Sequence, residues 1–138
     1  MKSLILRFGT SHRRRLHGQR FLQKVGGMLD FSQMEATKKQ LRLAGFWRKY
    51  LRLTRGRVGV LRALEIMAEE EADKDFQCVM REIHNDLQEG LLFREAIEKH
   101  PTEFSLSVRE IVKVAEKSGA WDEVIPEIVA GLEEGVFG

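Results

Sequence analysis

Apolar residues recur at intervals of three and four along most of the chain, and no segment alternates convincingly with period two. That is the helical period rather than the strand period. The clearest stripe is Phe76, Val79, Met80, Ile83 and Leu87, and Asp73 stands before it as a residue type that caps helix N-termini. Upstream, Ser32 or Thr37 caps a helix that runs to about Thr54 on Met34, Leu41, Leu43, Phe46, Trp47, Tyr50, Leu51 and Leu53. Gly56-Arg57-Val58-Gly59 reads as a tight break, after which Leu61, Leu64, Met67 and Ala68 resume a helix over Val60 to Glu71. An earlier helical segment, Gln19 to Asp30, carries Phe21, Leu22, Val25 and Leu29 on one side and is weakened by Gly26-Gly27.

The stretch from Gly90 to Gly119 has marked ends. Gly90 suits the left-handed position just past a helix, and Pro101 closes a short helix over Leu92 to Lys99. Ser107 and Glu110 fit a capping box that starts the next helix, which Ser118-Gly119 ends. The apolar anchors here are Leu92, Phe93, Ala96, Ile97, Phe104, Ile111, Val112 and Ala115. A last helix covers Trp121 to Glu134 on Val124, Ile125, Ile128, Val129 and Leu132, with Pro126 in its early turns. The expected fold is all-α: a compact bundle of about six short antiparallel helices over residues 19–135. A basic arm over residues 1–18 precedes it.

Charge changes this picture. The net charge is +2, but residues 1–62 hold 16 Lys/Arg and 2 Asp/Glu, whereas residues 63–138 hold 7 and 19. The split implies one of three things: self-association of unlike faces, two different partners, or mutual neutralisation within the fold. The basic half, with Arg13-Arg14-Arg15 and the interleaved Phe46, Trp47 and Tyr50, also admits a nucleic-acid-binding module. Those aromatics fall at core spacing, and the acidic second half opposes nucleic acid, so this is the alternative reading.

Catalytic and metal chemistry finds little support. The four histidines are scattered, with no His-x-x-x-His or Cys-x-x-Cys spacing. Glu69-Glu70-Glu71-Ala72-Asp73 attracts a divalent cation weakly at best and more commonly marks a solvated helix end. Cys78 is expected to be a small buried hydrophobe beside the apolar stripe. As a single cysteine it points to a reducing compartment. No P-loop is present, and no cofactor is expected.

The order of these motifs resembles the cytoplasmic domain of the inner-membrane platform protein of type II secretion and type IV pilus systems, the F-protein family. The resemblance covers about residues 46–132. Phe46-Trp47-Arg48-Lys49-Tyr50-Leu51 matches the family's aromatic-led first helix. Arg57-Val58-Gly59-Val60, with Ala63-Leu64 after it, matches a Gly-Val-Pro-Leu turn and second helix. Gly90 to Ile97 matches a Gly-x-Ser-Leu-x-x-Ala-Leu step, and Ala115-Glu116-Lys117-Ser118-Gly119 a Gly-Glu-x-Ser-Gly signature. Arg57 stands where the family has the turn glycine, Gly59 where it has proline, and Ala115 where it has the first signature glycine. Phe21 to Asp30 also looks like the first helix, which leaves two registers open over residues 20–57.

The resemblance implies a non-enzymatic scaffold at the cytoplasmic face of the bacterial inner membrane. Its implied partners are a cytoplasmic assembly ATPase and other inner-membrane assembly proteins, with homo-oligomerisation. It also implies that residues 136–138 precede a membrane-spanning segment outside this sequence. The residues it singles out for partner contact or as signature are Glu116, Ser118, Gly119, Gly90, Arg48, Lys49 and Arg57. Glu116 is expected to fix the Gly119 turn or meet a partner. If Gly119 ends its helix left-handed, Gly119→Val costs at least about 1 kcal/mol, read as a lowered melting temperature; an unchanged melting curve refutes the turn.

Overall fold

A computed structural model describes residues 31–137. The basic arm, the helix expected over Gln19 to Asp30 and the side chain of Ser32 lie outside the described residues. Six α-helices follow in order: α1 Phe31–Arg55, α2 Val60–Glu70, α3 Lys74–Gln88, α4 Phe93–Ile97, α5 Leu106–Ser118 and α6 Trp121–Glu133. The described residues contain no strand. Each helix packs on the next, and α6 closes the ring by lying along α1. That last pair is antiparallel: Gln40 Nε2 donates to the Phe137 carbonyl, Arg48 pairs with Glu133, and Arg55 pairs with Asp122.

The core forms where the apolar stripes meet. Trp47 is buried at the centre, with Phe46 at 5.1 Å, Phe93 at 5.9 Å and Phe104 at 6.1 Å between ring centroids. Tyr50 extends the cluster to Trp121, and Phe46 extends it to Phe76. The edge-on ring geometry is the favoured one for aromatic pairs.

Helix ends follow the chemistry of their residues. Asp73 caps α3, its carboxylate accepting the Phe76 N–H at 3.0 Å, and that bond holds its carboxyl below the ordinary range. α3 ends at Gly90, with φ 104°, where Leu91 N–H reaches back to the Asp86 carbonyl and Gly90 N–H to Leu87. This paired closure satisfies two carbonyls that the helix leaves open. Gly135 ends α6 in the same way, and Gly119, at φ 75°, ends α5. α1 closes identically, Val58 N–H bonding the Leu53 carbonyl and Arg57 N–H the Thr54 carbonyl. Here the left-handed residue is Arg57, at φ 67°. Gly59, at φ −64°, already has the angle that proline fixes.

Several expectations are corrected. The cap of α5 lies two residues before Ser107: Ser105 is the cap and its Oγ accepts the Val108 N–H, so Ser107 and Glu110 form no capping box. Thr37 lies inside α1, where its hydroxyl donates to the Gln33 carbonyl one turn back instead of capping. The helix expected over Leu92 to Lys99 is only Phe93–Ile97, because the chain turns at His100 before Pro101. Cys78 is exposed, two positions round from the buried Phe76 and Met80. Leu61 and Leu92, read as core residues, are 37% and 48% exposed. Pro126 sits in the second turn of α6 and leaves the Asp122 carbonyl without its helical N–H; Arg55 Nη2 donates to that oxygen at 3.4 Å.

The charge split resolves within the fold for the described residues. Lys39, Arg42, Arg48, Lys49 and Arg55 of α1 pair with Glu103, Asp73, Glu133, Glu70 and Asp122 of the acidic half. Each exposed pair adds only about 0–1 kcal/mol, so they orient the helices more than they hold them.

Arg57 carries a side chain in a backbone region that glycine occupies without penalty. Arg57→Gly is therefore expected to raise stability by about 0.5–1 kcal/mol in a urea titration, whereas a loss of stability shows that the Arg57 side chain earns its place.

Candidate functional site

Three of the four left-handed helix ends point their following residues to one place. Val60 and Leu61 follow the Arg57 turn, Leu91, Leu92 and Phe93 follow the Gly90 turn, and Trp121 follows the Gly119 turn. Together with the buried Tyr50 they line a groove of about 500 Å³. Arg94, Glu116 and Lys117 supply its polar edge. An open apolar concavity with a few converging polar groups is the usual form of a recognition site.

Glu116 is the polar keystone of this groove. It does not reach the Gly119 turn. Its Oε2 accepts the Arg94 backbone N–H at 3.1 Å, and its Oε1 lies 3.4 Å from Arg94 Nε. The second contact is an ion pair without hydrogen-bond alignment, so Oε1 is buried with no hydrogen-bond donor. Arg94 N–H is one of the amides that the start of α4 leaves without a helical partner. A carboxylate from α5 thus caps α4, and Glu95 takes the Leu92 N–H at 2.8 Å. Burial pushes the Tyr50 hydroxyl well above its ordinary value of 10.0, and the Glu116 charge adds to the shift.

The other residues singled out from the sequence divide by position. Gly90, Gly119 and Arg57 shape the turns that frame the groove. Ser118 fastens the last of these, its Oγ donating to the Val114 carbonyl and accepting the Ala120 N–H. Arg48 and Lys49 do not join them: Arg48 pairs with Glu133, and Lys49 with Glu70 beside a separate, smaller cleft. Sequence reasoning missed Leu61, Leu92 and Arg94 as site residues. Leu92 reads in the sequence as the first residue of its helix, and only the structure makes it the N-cap of α4, where its side chain caps nothing.

Phe46, Trp47 and Tyr50 are buried, so they offer no stacking surface for bases. The cations among them are spent on carboxylates. In the acidic run, Glu70 pairs with Lys49, Glu71 accepts the Asp73 N–H, and Asp73 caps α3. Among the described residues, no three His, Cys, Asp or Glu side chains converge as a metal site.

Comparison with known proteins locates the same segment. Residues 46–135 match the family described as type II secretion system (T2SS), protein F. The match starts at Phe46, which selects the later of the two registers. The chain is similar to the type 4 fimbrial assembly protein PilC of Pseudomonas putida, 29% identical over 91 residues, which cover 66% of this chain and 23% of that protein. It is also similar to the type IV pilus assembly protein PilC of Thermus thermophilus, 27% identical over 92 residues, covering 67% and 22%. The aligned segment thus spans less than a quarter of the length of these curated relatives.

Tyr50 is the chain's single tyrosine, which makes its titration directly visible. Below pH 10 it is protonated in both the folded and unfolded states; above it, the unfolded chain releases the proton and the folded chain keeps it. Stability therefore falls as pH rises past that value. Tyrosinate absorbance is expected to appear only with loss of helical signal, and Tyr50→Phe to lessen the alkaline loss. Ionisation near the ordinary value with the fold intact would contradict the burial.

Proposed function

The chain belongs to the type II secretion system protein F family, and from that premise we propose that it is a non-catalytic platform domain of a type IV pilus or type II secretion machine. In this reading it lies at the cytoplasmic face of an inner membrane and links an assembly ATPase to the assembly of pilin or pseudopilin subunits through protein contacts. The observation that carries the proposal is the family match across residues 46–135, on a bundle whose converging residues form an apolar groove. No described helix is long and apolar enough to cross a membrane. In this reading the domain presents a surface to its partners, and its mechanism is mechanical.

A helical ring suits such a role. Each helix is fixed by both neighbours, so a force applied at one face is borne by the whole core rather than by one flexible loop. Interior close packing resists deformation. The carboxylate of Glu116 joins α5 to the start of α4 directly under the groove, at the point where a partner would bear on it.

Copurification of the full-length protein with its assembly ATPase, before and after Glu116→Ala, tests the proposal. Association with the parent and clear weakening with the variant are expected. No association of the full-length protein would end the adaptor reading, and equal association would remove Glu116 from the contact.

A further inference from the structure

Among the described residues nothing fills the groove, and its chemistry selects an occupant. Val60 and Leu61 are each 37% exposed and Leu92 is 48% exposed, all lining one concavity. Isolated exposed aliphatics are ordinary, whereas a contiguous set marks a contact surface. The apolar track does not stop at the groove. Lys117 lines it, and Val114, one turn earlier on the same face of α5, is 57% exposed. An elongated track of this kind fits a rod with side chains at three- and four-residue spacing better than a compact small molecule.

The charges set the sign of that rod. Of the three charged groups that line the groove, Glu116 is engaged with Arg94. Glu95, beside it in the chain, is spent on the Leu92 N–H. Lys117 is exposed and makes no ion pair with the described residues, and Lys113 lies one turn before it on the same side of α5. Along α5 the edge turns acidic at Glu110, beyond Val114, and a second acidic pair, Asp122 and Glu123, lies past Trp121 in an adjoining cleft that shares Tyr50, Val60 and Trp121 with the groove. A partner laid in the groove thus meets an apolar floor and a lysine edge. Carboxylates opposite that edge are attracted, and cations are opposed.

We propose that the groove between Leu61, Leu92 and Trp121 receives an amphipathic α-helix of a partner protein, its apolar stripe in the groove and acidic residues against Lys113 and Lys117. The proposal rests on the reading of this domain as a protein-contact scaffold and adds the chemistry of the partner segment. Leu and Phe side chains of the incoming helix fill the concavity, and the lysine edge fixes the direction from which it docks. Arg94 and Glu116, already paired, shape the end of the groove without supplying a free charge.

Trp121 lines the groove while Trp47 is buried in the core, so a change in the tryptophan emission of the parent chain on peptide addition reports occupancy. Two synthetic helical peptides of about 18 residues serve as probes, sharing one leucine stripe and flanked by glutamates in one and by lysines in the other. The glutamate peptide is expected to bind at least about tenfold more tightly, and Leu92→Asp to abolish binding. Lys117→Glu should erase the preference; Leu92 and Lys117 are both exposed, so neither change threatens the fold. Binding by neither peptide, equal binding by both, or indifference to Leu92→Asp overturns the proposal. Self-association of the chain that Leu92→Asp abolishes would instead assign the groove to a second copy and overturn it too. Failure here with ATPase association intact would leave the platform reading standing.

Discussion

The burial of the Phe46, Trp47 and Tyr50 rings against aromatic rings from four other parts of the chain is the interaction on which the rest of this structure depends. Phe46 and Trp47, with Tyr50 one turn later, present three rings from α1. Phe76 of α3, Phe93 of α4, Phe104 ahead of α5 and Trp121 of α6 come to meet them. One helix therefore organises the ring of the other five. A truncation at Trp47 would open a void touching several of these elements at once, and such losses cost about 3–5 kcal/mol in tightly packed cores. The salt bridges between the basic and acidic halves are secondary: they set which helix faces which, on a core that already holds them.

That cluster also determines the groove. Tyr50 is at its base, and Phe93 and Trp121 are both core rings and groove walls. The turns at Arg57, Gly90 and Gly119 deliver the remaining lining residues, and Glu116 fastens the start of α4 from α5. Site and core are thus the same set of contacts seen from two sides. A surface built in this way moves little when a partner binds, which lowers the cost of association.

Much of the fold was legible in the sequence because it rests on local rules. The stripe Phe76, Met80, Ile83, the Asp73 cap and the left-handed glycines at 90 and 119 are each set by spacing or backbone freedom, and each stands as expected. The failures have physical causes. Ser105 and Ser107 are equally good caps by type, and only the position of Val108 in the core decides between them. Cys78 fits an apolar reading by composition, yet the phase of α3 turns it outward. Leu61 and Leu92 look like core residues to any periodicity argument, because a groove wall and a core wall use the same residue types. Arg94 was invisible for another reason: its part depends on a backbone amide meeting Glu116, 22 positions away in the chain. The family relationship was legible from the order of motifs, and at the two departures Arg57 takes a φ that suits glycine and Gly59 a φ that suits proline.

The central claim is that the groove is held rigid by the core rather than by its own loops, and native-state hydrogen exchange tests it most directly. The amides to follow are Val58, Leu91 and Arg94, bonded to the Leu53 carbonyl, the Asp86 carbonyl and the Glu116 carboxylate. They are expected to exchange only through global unfolding, with the same opening free energy as buried amides of α1 and α6. Exchange of these three through local openings several kcal/mol below the global value would contradict the claim and make the groove a mobile surface instead.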